Sequence, residues 1–208
     1  MMYQIKTMNS HKPPKQKVAE KAEAMLAGAM QEFVNCGYAA ASMDRIAVAA
    51  GVSKPTLYNY FQGKEGLFTA LIQQMSQSDR ILDESRFLEQ PIRDSLKQLA
   101  IDLLDKLSGE QPLLTLLRLI IGESGRFPAL AQTFVRNFEQ PNLEKMSYLL
   151  DRHPDLNVAD PELTARLFVG SIVHYSIIQE MLHGREILPL ERDRFVDGAI
   201  DLIVGNRG

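Results

Sequence analysis

Apolar residues recur every three or four positions along most of this chain, and no stretch of strand length alternates between apolar and polar side chains. A repeat with this period predicts amphipathic helices, so we expect an all-α protein of about nine helices. Pro, Gly and Asn concentrate at the breaks between the helical segments. Pro stands near the start of most of them, where its missing N–H sacrifices no hydrogen bond.

The breaks divide the chain into two predicted domains. Residues 1–83 are predicted to hold a flexible arm, a three-helix core over 15–62 and a linking helix over 64–83. Residues 84–208 are predicted to form a second helical domain behind a polar break around Asp83 to Pro91. Its helices are predicted near 91–108, 112–123, 127–152, 161–182 and 190–204. Pro141 lies inside the third of these, which predicts a kink or a division into two helices.

Two short helices crossing at a tight turn are predicted after Ser42. Ser42 and Ser53 can N-cap the first and the second helix, because their hydroxyls accept hydrogen bonds from unpaired backbone N–H groups. Gly51 supplies the positive φ that ends the first helix. Ala47 is small where the second helix would pass, and Leu57 would complete the internal contact. This spacing predicts a helix-turn-helix.

The second of these helices lacks carboxylates, which suits an approach to phosphates and base edges in a major groove. Its outward positions are Lys54, Thr56, Asn59 and Tyr60, with Tyr58 at the rim. Lys64 adds a positive charge beside the next helix N-terminus. Two alternatives remain open: a helical hairpin whose aromatic residues are core, and an interaction module that binds protein instead of DNA.

Charge is distributed unevenly along the chain. The net charge is −3, but residues 1–70 carry eight Lys/Arg against five Asp/Glu, whereas residues 71–208 carry fifteen against twenty-one. The basic region therefore coincides with the predicted helix-turn-helix. The longest apolar-leaning stretch, Leu167 to Ile178, falls short of the roughly 20 residues needed to cross a bilayer. We expect a cytoplasmic, nucleoid-associated protein with no membrane span.

Enzymatic motifs are missing from the sequence. It contains no Gly-rich phosphate loop, no G-x-S-x-G elbow and no H-E-x-x-H pair, so an enzyme is the weaker alternative. We expect no cofactor and no metal site among the four histidines. We expect His153 and His183 to lie near helix ends, beside the negative pole of the dipole. A single cysteine, Cys36, excludes an intramolecular disulfide and is expected to pack in the interior.

The N-terminal segment resembles the DNA-binding domain of TetR-type regulators. The resemblance rests on Phe33-Val-Asn-Cys-Gly-Tyr38, Ser42-Met-Asp-Arg-Ile-Ala47, Ala50-Gly-Val-Ser-Lys54, Thr56-Leu-Tyr-Asn-Tyr-Phe61 and Lys64-Glu65. It implies a homodimer, usually a repressor, that binds a palindromic operator in double-stranded DNA. A small-molecule effector entering the C-terminal domain would release the operator.

The resemblance also implies roles for individual residues. Base-reading or groove-entering positions are matched by Lys54, Pro55 and Thr56, and mostly phosphate-contacting positions by Ser42, Tyr58, Asn59, Tyr60 and Lys64. Two positions depart from the family pattern. Asn59 stands where a larger aromatic residue or His is common, and Gly63 replaces the usual N-capping Ser.

The C-terminal half is similar, in the segment Leu113 to Leu130, to the AcrR- and AefR-like subgroup of that family. The helix predicted at 161–182 is apolar on almost every side, which one monomer rarely buries. With the last helix it predicts a dimer interface of four helices. The predicted interface residues are Leu167, Gly170, His174, Ile177, Met181, Phe195, Ala199 and Ile203.

An effector pocket for an apolar or aromatic ligand is predicted among the middle helices. Its candidate residues are Leu117, Ile120, Phe134, Phe138, Met146 and Leu149. Apolar residues at this spacing are also typical of ordinary core. We expect no charged residue to line the pocket. Arg118, Glu123 and Arg126 could select an anionic or polar group, or could form a surface or interdomain salt-bridge cluster.

Overall fold

The computed structural model describes residues 14–78 and 84–205. The predicted N-terminal arm and the last residues of the predicted linking helix lie outside the described residues. Within the described ranges every regular element is a helix, which confirms the all-α prediction. The chain separates into two compact units, Met1–Leu67 and Phe68–Gly208.

The first unit is built around a long helix, α1 (Pro14–Ala40), against which α2 (Met43–Ala49) packs; α3 (Lys54–Phe61) packs on α2. A further helix, α4 (Lys64–Ser78), contains the boundary between the units. The unit's core includes Met25, Phe33, Ile46 and Leu57, all fully buried. This small core holds the turn between α2 and α3 in place.

Gly37 interrupts α1, and three more helical residues follow it. Its φ of 76° and ψ of 163° are non-helical, yet the helix continues to Ala40. The carbonyl of Gly37 accepts a hydrogen bond from the Ala41 N–H at 3.2 Å, which closes one more turn. Gly37 therefore kinks α1 one turn before its end.

The second unit consists of the rest of α4 and a series of further helices. These are α5 (Glu84–Glu89), α6 (Ile92–Lys106), α7 (Pro112–Glu123), α8 (Pro128–Phe134), α9 (Gln140–Arg152), α10 (Pro161–Ser176) and α11 (Arg192–Val204). Two π-helical turns, Val135–Glu139 and Ile177–Met181, follow α8 and α10, and a 3₁₀ turn spans Gly184–Glu186. Helix α10 packs against α9, α6 and α11.

The polar break predicted before Pro91 is wrong, because α5 occupies residues 84–89. Phe87 anchors this short helix: it is buried, its ring meets the His153 ring edge-on, and its carbonyl accepts a hydrogen bond from Ser95. His153 lies at the C-terminal end of α9, as predicted. Its Nδ1 accepts a hydrogen bond from the Asp155 N–H at 3.1 Å and its Nε2 lies 3.0 Å from the Gln90 carbonyl oxygen, so both nitrogens of the buried ring have partners.

The irregularity predicted at Pro141 takes the form of a π-helical turn. The N–H of Gln140 bonds to the carbonyl of Val135, five residues back, and the chain stays helical from α8 into α9. A proline in a regular helix clashes with the carbonyl four residues before it. The wider turn just ahead of Pro141 accommodates the ring without breaking the helix.

Candidate functional site

The turn between α2 and α3 has the predicted geometry. The Ser42 hydroxyl accepts hydrogen bonds from the Asp44 and Arg45 N–H groups at 3.2 and 3.4 Å, and the Ser53 hydroxyl accepts one from the Thr56 N–H at 3.3 Å. Both predicted N-caps are confirmed. Gly51 has a φ of 64°, in the left-handed region that glycine adopts without strain. The turn therefore fixes the direction of α3 relative to α2.

Helix α3 presents one side to solvent and buries the other. Leu57 is fully buried, whereas five of the six remaining predicted positions on the helix are exposed and Thr56 is half-buried. We call this surface the α3 face; it consists of Lys54, Pro55, Thr56, Tyr58, Asn59 and Tyr60. The alternative in which the aromatic residues of this helix form core is wrong for Tyr58 and Tyr60, which are 42% and 40% exposed.

Two polar groups of the α3 face are already paired within the first unit. The Lys54 ammonium lies 2.9 Å from an Asp44 carboxylate oxygen on α2, and both side chains are well exposed. The hydrogen bond and the charge of Asp44 raise the pKa of Lys54. The Thr56 hydroxyl lies 2.8 Å from the Ser53 hydroxyl. The rotamers of both residues are therefore biased before any partner arrives.

Lys64 is the first residue of α4, as predicted, and its side chain contacts the end of α1. Its ammonium donates to the carbonyls of Tyr38, Ala39 and Ala41 at 2.6, 3.0 and 3.2 Å, and it lies 4.7 Å from the centroid of the Tyr38 ring. An ammonium has three N–H donors, and all three are used here. The geometry gives Lys64 the role of capping the C-terminal end of α1, and the phosphate contact stays a prediction.

A network around Glu32 also holds the end of α1, and the sequence did not indicate it. The Glu32 carboxylate accepts from Arg45 Nε at 2.5 Å and from the Ser42 N–H at 3.1 Å, while Arg45 Nη2 donates to the Ala40 carbonyl at 2.6 Å. Burial disfavours the charged carboxylate, but hydrogen bonds from Arg45, Ser42 and Cys36 outweigh it and lower the pKa of Glu32.

Cys36 belongs to this network and not to the core. It is exposed, and its thiol donates to the Glu32 carbonyl at 3.1 Å. The expectation that Cys36 packs in the interior is wrong, because the last turn of α1 points this position away from the buried side occupied by Phe33.

The second unit encloses a cavity of about 220 Å³ between α6, α7, α9 and α10. We call it the apolar cavity; its walls are formed by Leu99, Leu103, Leu107, Leu113, Leu117, Phe134, Phe138, Glu139, Asn142, Leu143, Met146, Val169 and Val173. Four predicted effector residues lie on its walls, namely Leu117, Phe134, Phe138 and Met146. The other two, Ile120 and Leu149, are buried in the packed core and are not among the wall residues.

The expectation that no charged residue lines the pocket is wrong, because Glu139 forms part of the wall. Burial raises the pKa of the Glu139 carboxyl, and the charge of Arg166 partly opposes this. Arg118, offered as part of a charged cluster, instead donates to the carbonyls of Gly109 and Glu180 at 3.5 and 3.3 Å. Neither Arg118 nor Arg126 lies on the cavity wall.

The residues predicted for a dimer interface form an apolar surface on α10, the following π turn and α11. Leu167 is 65% exposed, Gly170 and His174 are exposed, and Ile177, Met181, Phe195, Ala199 and Ile203 are half-buried. Nearby apolar residues add to this surface, among them Leu163 and Leu202, the latter 90% exposed. Ile200, which the sequence pattern also favoured, is buried in the unit's own core.

Within residues 14–78 and 84–205, no cluster of three or more His, Cys, Asp or Glu side chains could hold a metal ion. In the same ranges no helix combines the length and the apolar character that crossing a membrane requires.

Comparison with known proteins gives matches to both units. A family model described as "Bacterial regulatory proteins, tetR family" matches residues 25–71, and one described as "AefR-like transcriptional repressor, C-terminal domain" matches residues 94–206. The HTH-type transcriptional regulator YdgC of Bacillus subtilis (strain 168) is 30% identical over 166 residues, which cover 77% of this chain and 81% of that protein.

Two other similarities differ in extent. The HTH-type transcriptional activator FasR of Mycolicibacterium smegmatis is 48% identical over 54 residues; these cover 26% of this chain, and the match spans only 25% of FasR. A crystal structure described as a TetR-family transcriptional regulator from Mesorhizobium loti MAFF303099 has a TM-score of 0.73 and 27% identity. That similarity covers 88% of this chain and 95% of the other.

Proposed function

The chain belongs to the TetR family and is a DNA-binding transcriptional regulator with a helix-turn-helix; from this premise we propose that it is a repressor released by a small molecule. In this proposal a homodimer binds a palindromic operator through two α3 faces. A ligand in the apolar cavity of the second unit favours a dimer that no longer fits the operator. The exposed, carboxylate-free α3 face carries the proposal.

The α3 face suits a major groove because its groups are cationic, polar or aromatic and none is acidic. We assign base contacts to Lys54 and Thr56, groove entry to Pro55, and mostly phosphate contacts to Ser42, Tyr58, Asn59 and Tyr60. Lys64 is left out of the phosphate contacts because its three donors cap α1. Its contribution to binding would be indirect, through the position of the end of α1.

The ion pair between Lys54 and Asp44 adds a free-energy cost to the proposed contact of Lys54 with DNA, because the pair must break first. A base or phosphate acceptor that receives Lys54 must replace the Asp44 carboxylate, which also repels nearby phosphates. Sequences that offer no acceptor at this point leave the pair intact. Asp44 would therefore contribute to discrimination between operator and random DNA.

The apolar surface of α10 and α11 supports the proposed homodimer. Leu163, Leu167 and Leu202 would be costly to leave in water, and two copies of one surface can cover each other about a two-fold axis. The dimer would place its two α3 faces about 34–36 Å apart, in successive major grooves. Such a protein acts where DNA is, so we place it at the nucleoid in the cytoplasm.

The apolar cavity supports the proposed effector site, since a concave space walled almost wholly by apolar side chains is typical of ligand pockets. Release would follow from a higher ligand affinity of the dimer arrangement that binds the operator poorly. A crystal structure of the ligand-bound dimer with an unchanged separation of the α3 faces would contradict this step.

Selection of bound fragments from a random DNA pool, with the purified full chain, tests the operator proposal. We expect a palindrome with half-sites about one helical repeat apart. Thr56→Ala should blur the preference at one base position in each half-site, whereas the control Thr115→Ala, on α7 in the second unit, should leave the recovered motif unchanged. Recovery of no motif, or an unaltered motif with Thr56→Ala, would contradict the base-reading role.

The salt dependence of binding separates this function from a protein-interaction module. DNA affinity should fall by about 0.9 log units per log unit of salt for each neutralised phosphate. A partner held by apolar contacts would not follow that slope. A reporter fused to the recovered palindrome tests repression: deletion of the regulator should raise expression, and a fall would indicate an activator.

A further inference from the structure

We propose that the effector is a small hydrophobic amine, bound as an ammonium cation against Glu139. The inference rests on the proposed effector site and specifies the ligand's chemistry. The apolar cavity has thirteen wall residues, and only Glu139 and Asn142 among them are polar. The ligand must therefore be mostly apolar, with one polar end. The volume of about 220 Å³ is below the roughly 300–1,000 Å³ of pockets for drug-sized ligands, so the ligand is small.

Both polar side chains on the wall carry hydrogen-bond acceptors. Asn142 Nδ2 uses one of its two N–H donors on the Phe138 carbonyl at 2.7 Å, and Asn142 Oδ1 is an acceptor. Within the described part of the chain, no group donates a hydrogen bond to the Glu139 carboxylate and no cation lies within ion-pair distance of it. The nearest compensating charge, Arg166, pairs with Glu162 at 2.8 Å. A ligand that satisfies this wall must donate hydrogen bonds, and an ammonium group offers three.

The carboxylate on this wall belongs to a π-helical turn. Residues four apart on a regular helix of 3.6 residues per turn are offset by about 40°, and this offset grows with each step. The wider turn at Val135–Glu139 reduces this angular offset. Three residues spaced four apart, Phe134, Phe138 and Asn142, all line the cavity. Glu139, the last residue of that turn, joins the same wall. π-Helical turns occur frequently at functional sites.

A groove that shares two residues with the cavity wall is acidic. Glu139 and Leu143 line both the apolar cavity and this groove, which lies along α9 and α10. The charged residues of the groove are Glu139, Glu144, Asp151, Glu162 and Arg166. Four carboxylates against one guanidinium give the groove a negative charge, which attracts cations and repels anions. The charge of the groove and the acceptors on the wall therefore select the same ligand class.

Three probes with one apolar body test the proposal by calorimetric titration of the full chain at pH 7. They are 4-phenylbutylamine, 4-phenylbutan-1-ol and 4-phenylbutanoate, which differ in the charge of one end. We expect the amine to bind roughly 10- to 100-fold more tightly than the carboxylate, because an ion pair with hydrogen bonds replaces a like-charge repulsion. This comparison uses the unaltered protein, so it does not depend on a variant's folding.

Three variants test which side chain selects the amine. Glu139→Gln should remove the preference for the amine, while Glu89→Gln, which removes an exposed carboxylate on α5 outside the cavity and the groove, should preserve it. Val169→Phe should fill the cavity and abolish the binding of all three probes. Equal binding of the three probes, abolished by Val169→Phe, would overturn the amine proposal and leave the effector site standing. Binding that survives Val169→Phe, or no binding at all, would overturn both.

Discussion

Replacing Lys64 by Met separates the two roles that the sequence and the structure give this residue. Methionine keeps an unbranched apolar stem and removes the ammonium. If Lys64 caps α1, the carbonyls of Tyr38, Ala39 and Ala41 lose a shared donor. If Lys64 contacts a phosphate, the folded state changes little and DNA binding loses one cation. The two roles therefore predict losses in different experiments.

The expected loss of stability follows from the contacts. A hydrogen bond to a charged group contributes roughly 1.5–3 kcal/mol, and a cation at a helix C-terminus roughly 0.3–1 kcal/mol. The three bonds of Lys64 share one ammonium, and water can reach the half-buried carbonyls once it is gone. We therefore expect Lys64→Met to lower the free energy of unfolding by about 2–4 kcal/mol, less than the sum of three independent bonds.

Urea denaturation followed by far-UV circular dichroism measures this loss. Lys54→Met is the matched control. It removes a side chain of the same charge, and the ammonium of Lys54 pairs with the Asp44 carboxylate at an exposed position. It should leave stability nearly unchanged. Operator affinity is then measured against salt concentration, below the melting temperature of each variant. Lys64→Met should keep the wild-type salt slope, since no phosphate contact is lost.

The capping role would be refuted by the opposite pattern. Unchanged stability, together with a salt slope reduced by roughly 0.9 for each subunit of a bound dimer, would restore the phosphate contact predicted from the sequence.

Three other perturbations follow from the described contacts. Asp44→Asn should release Lys54, raise affinity for random DNA more than for the operator, and so reduce the specificity ratio in competition assays; an unchanged ratio would contradict the role of Asp44 in discrimination. Leu202→Arg should convert the dimer into monomers in light-scattering measurements, while Ile121→Arg, also exposed but on α7, should not; a dimeric Leu202→Arg protein would place the interface elsewhere. The pKa of Glu32 is lowered on folding, so its stabilising contribution is complete above its ordinary value of 4.5 and is lost as pH falls through the lower folded value. The melting temperature of wild type should exceed that of Glu32→Gln by a constant margin between pH 6 and 8, and this margin should shrink only in acid; shrinkage near neutral pH would contradict the network.

Local chemistry made the helix-turn-helix predictable from the sequence. Ser42, Gly51 and Ser53 act on backbone groups within three or four residues, so their spacing alone implies their geometry. The bounds of α7 were also predicted, because Pro112 opens a strongly apolar period that ends at Glu123. Such features depend on neighbours in the chain and need no knowledge of the tertiary fold.

The features that the sequence did not reveal depend on distant partners or on a change of period. Lys64 meets carbonyls more than twenty positions away, which no local pattern encodes. Helix α5 has six residues, too few for a helical repeat to register, and its one anchor is Phe87. Glu139 directly follows Phe138 and would face about 100° away from it on a regular helix, so the period of the apolar residues did not indicate it as a wall residue.

The π turn and Pro141 constrain how this chain can diversify. Deleting one residue from Val135–Glu139 would restore regular helical hydrogen bonding there, and the Pro141 ring would then meet the carbonyl of the residue four positions before it. Replacing Pro141 alone would remove the steric clash that favours the wider turn, while the extra residue would remain in the chain. The extra residue of the turn and Pro141 therefore depend on each other. Only a simultaneous deletion and substitution would yield a straight helix, and that helix would present a different set of side chains to the cavity.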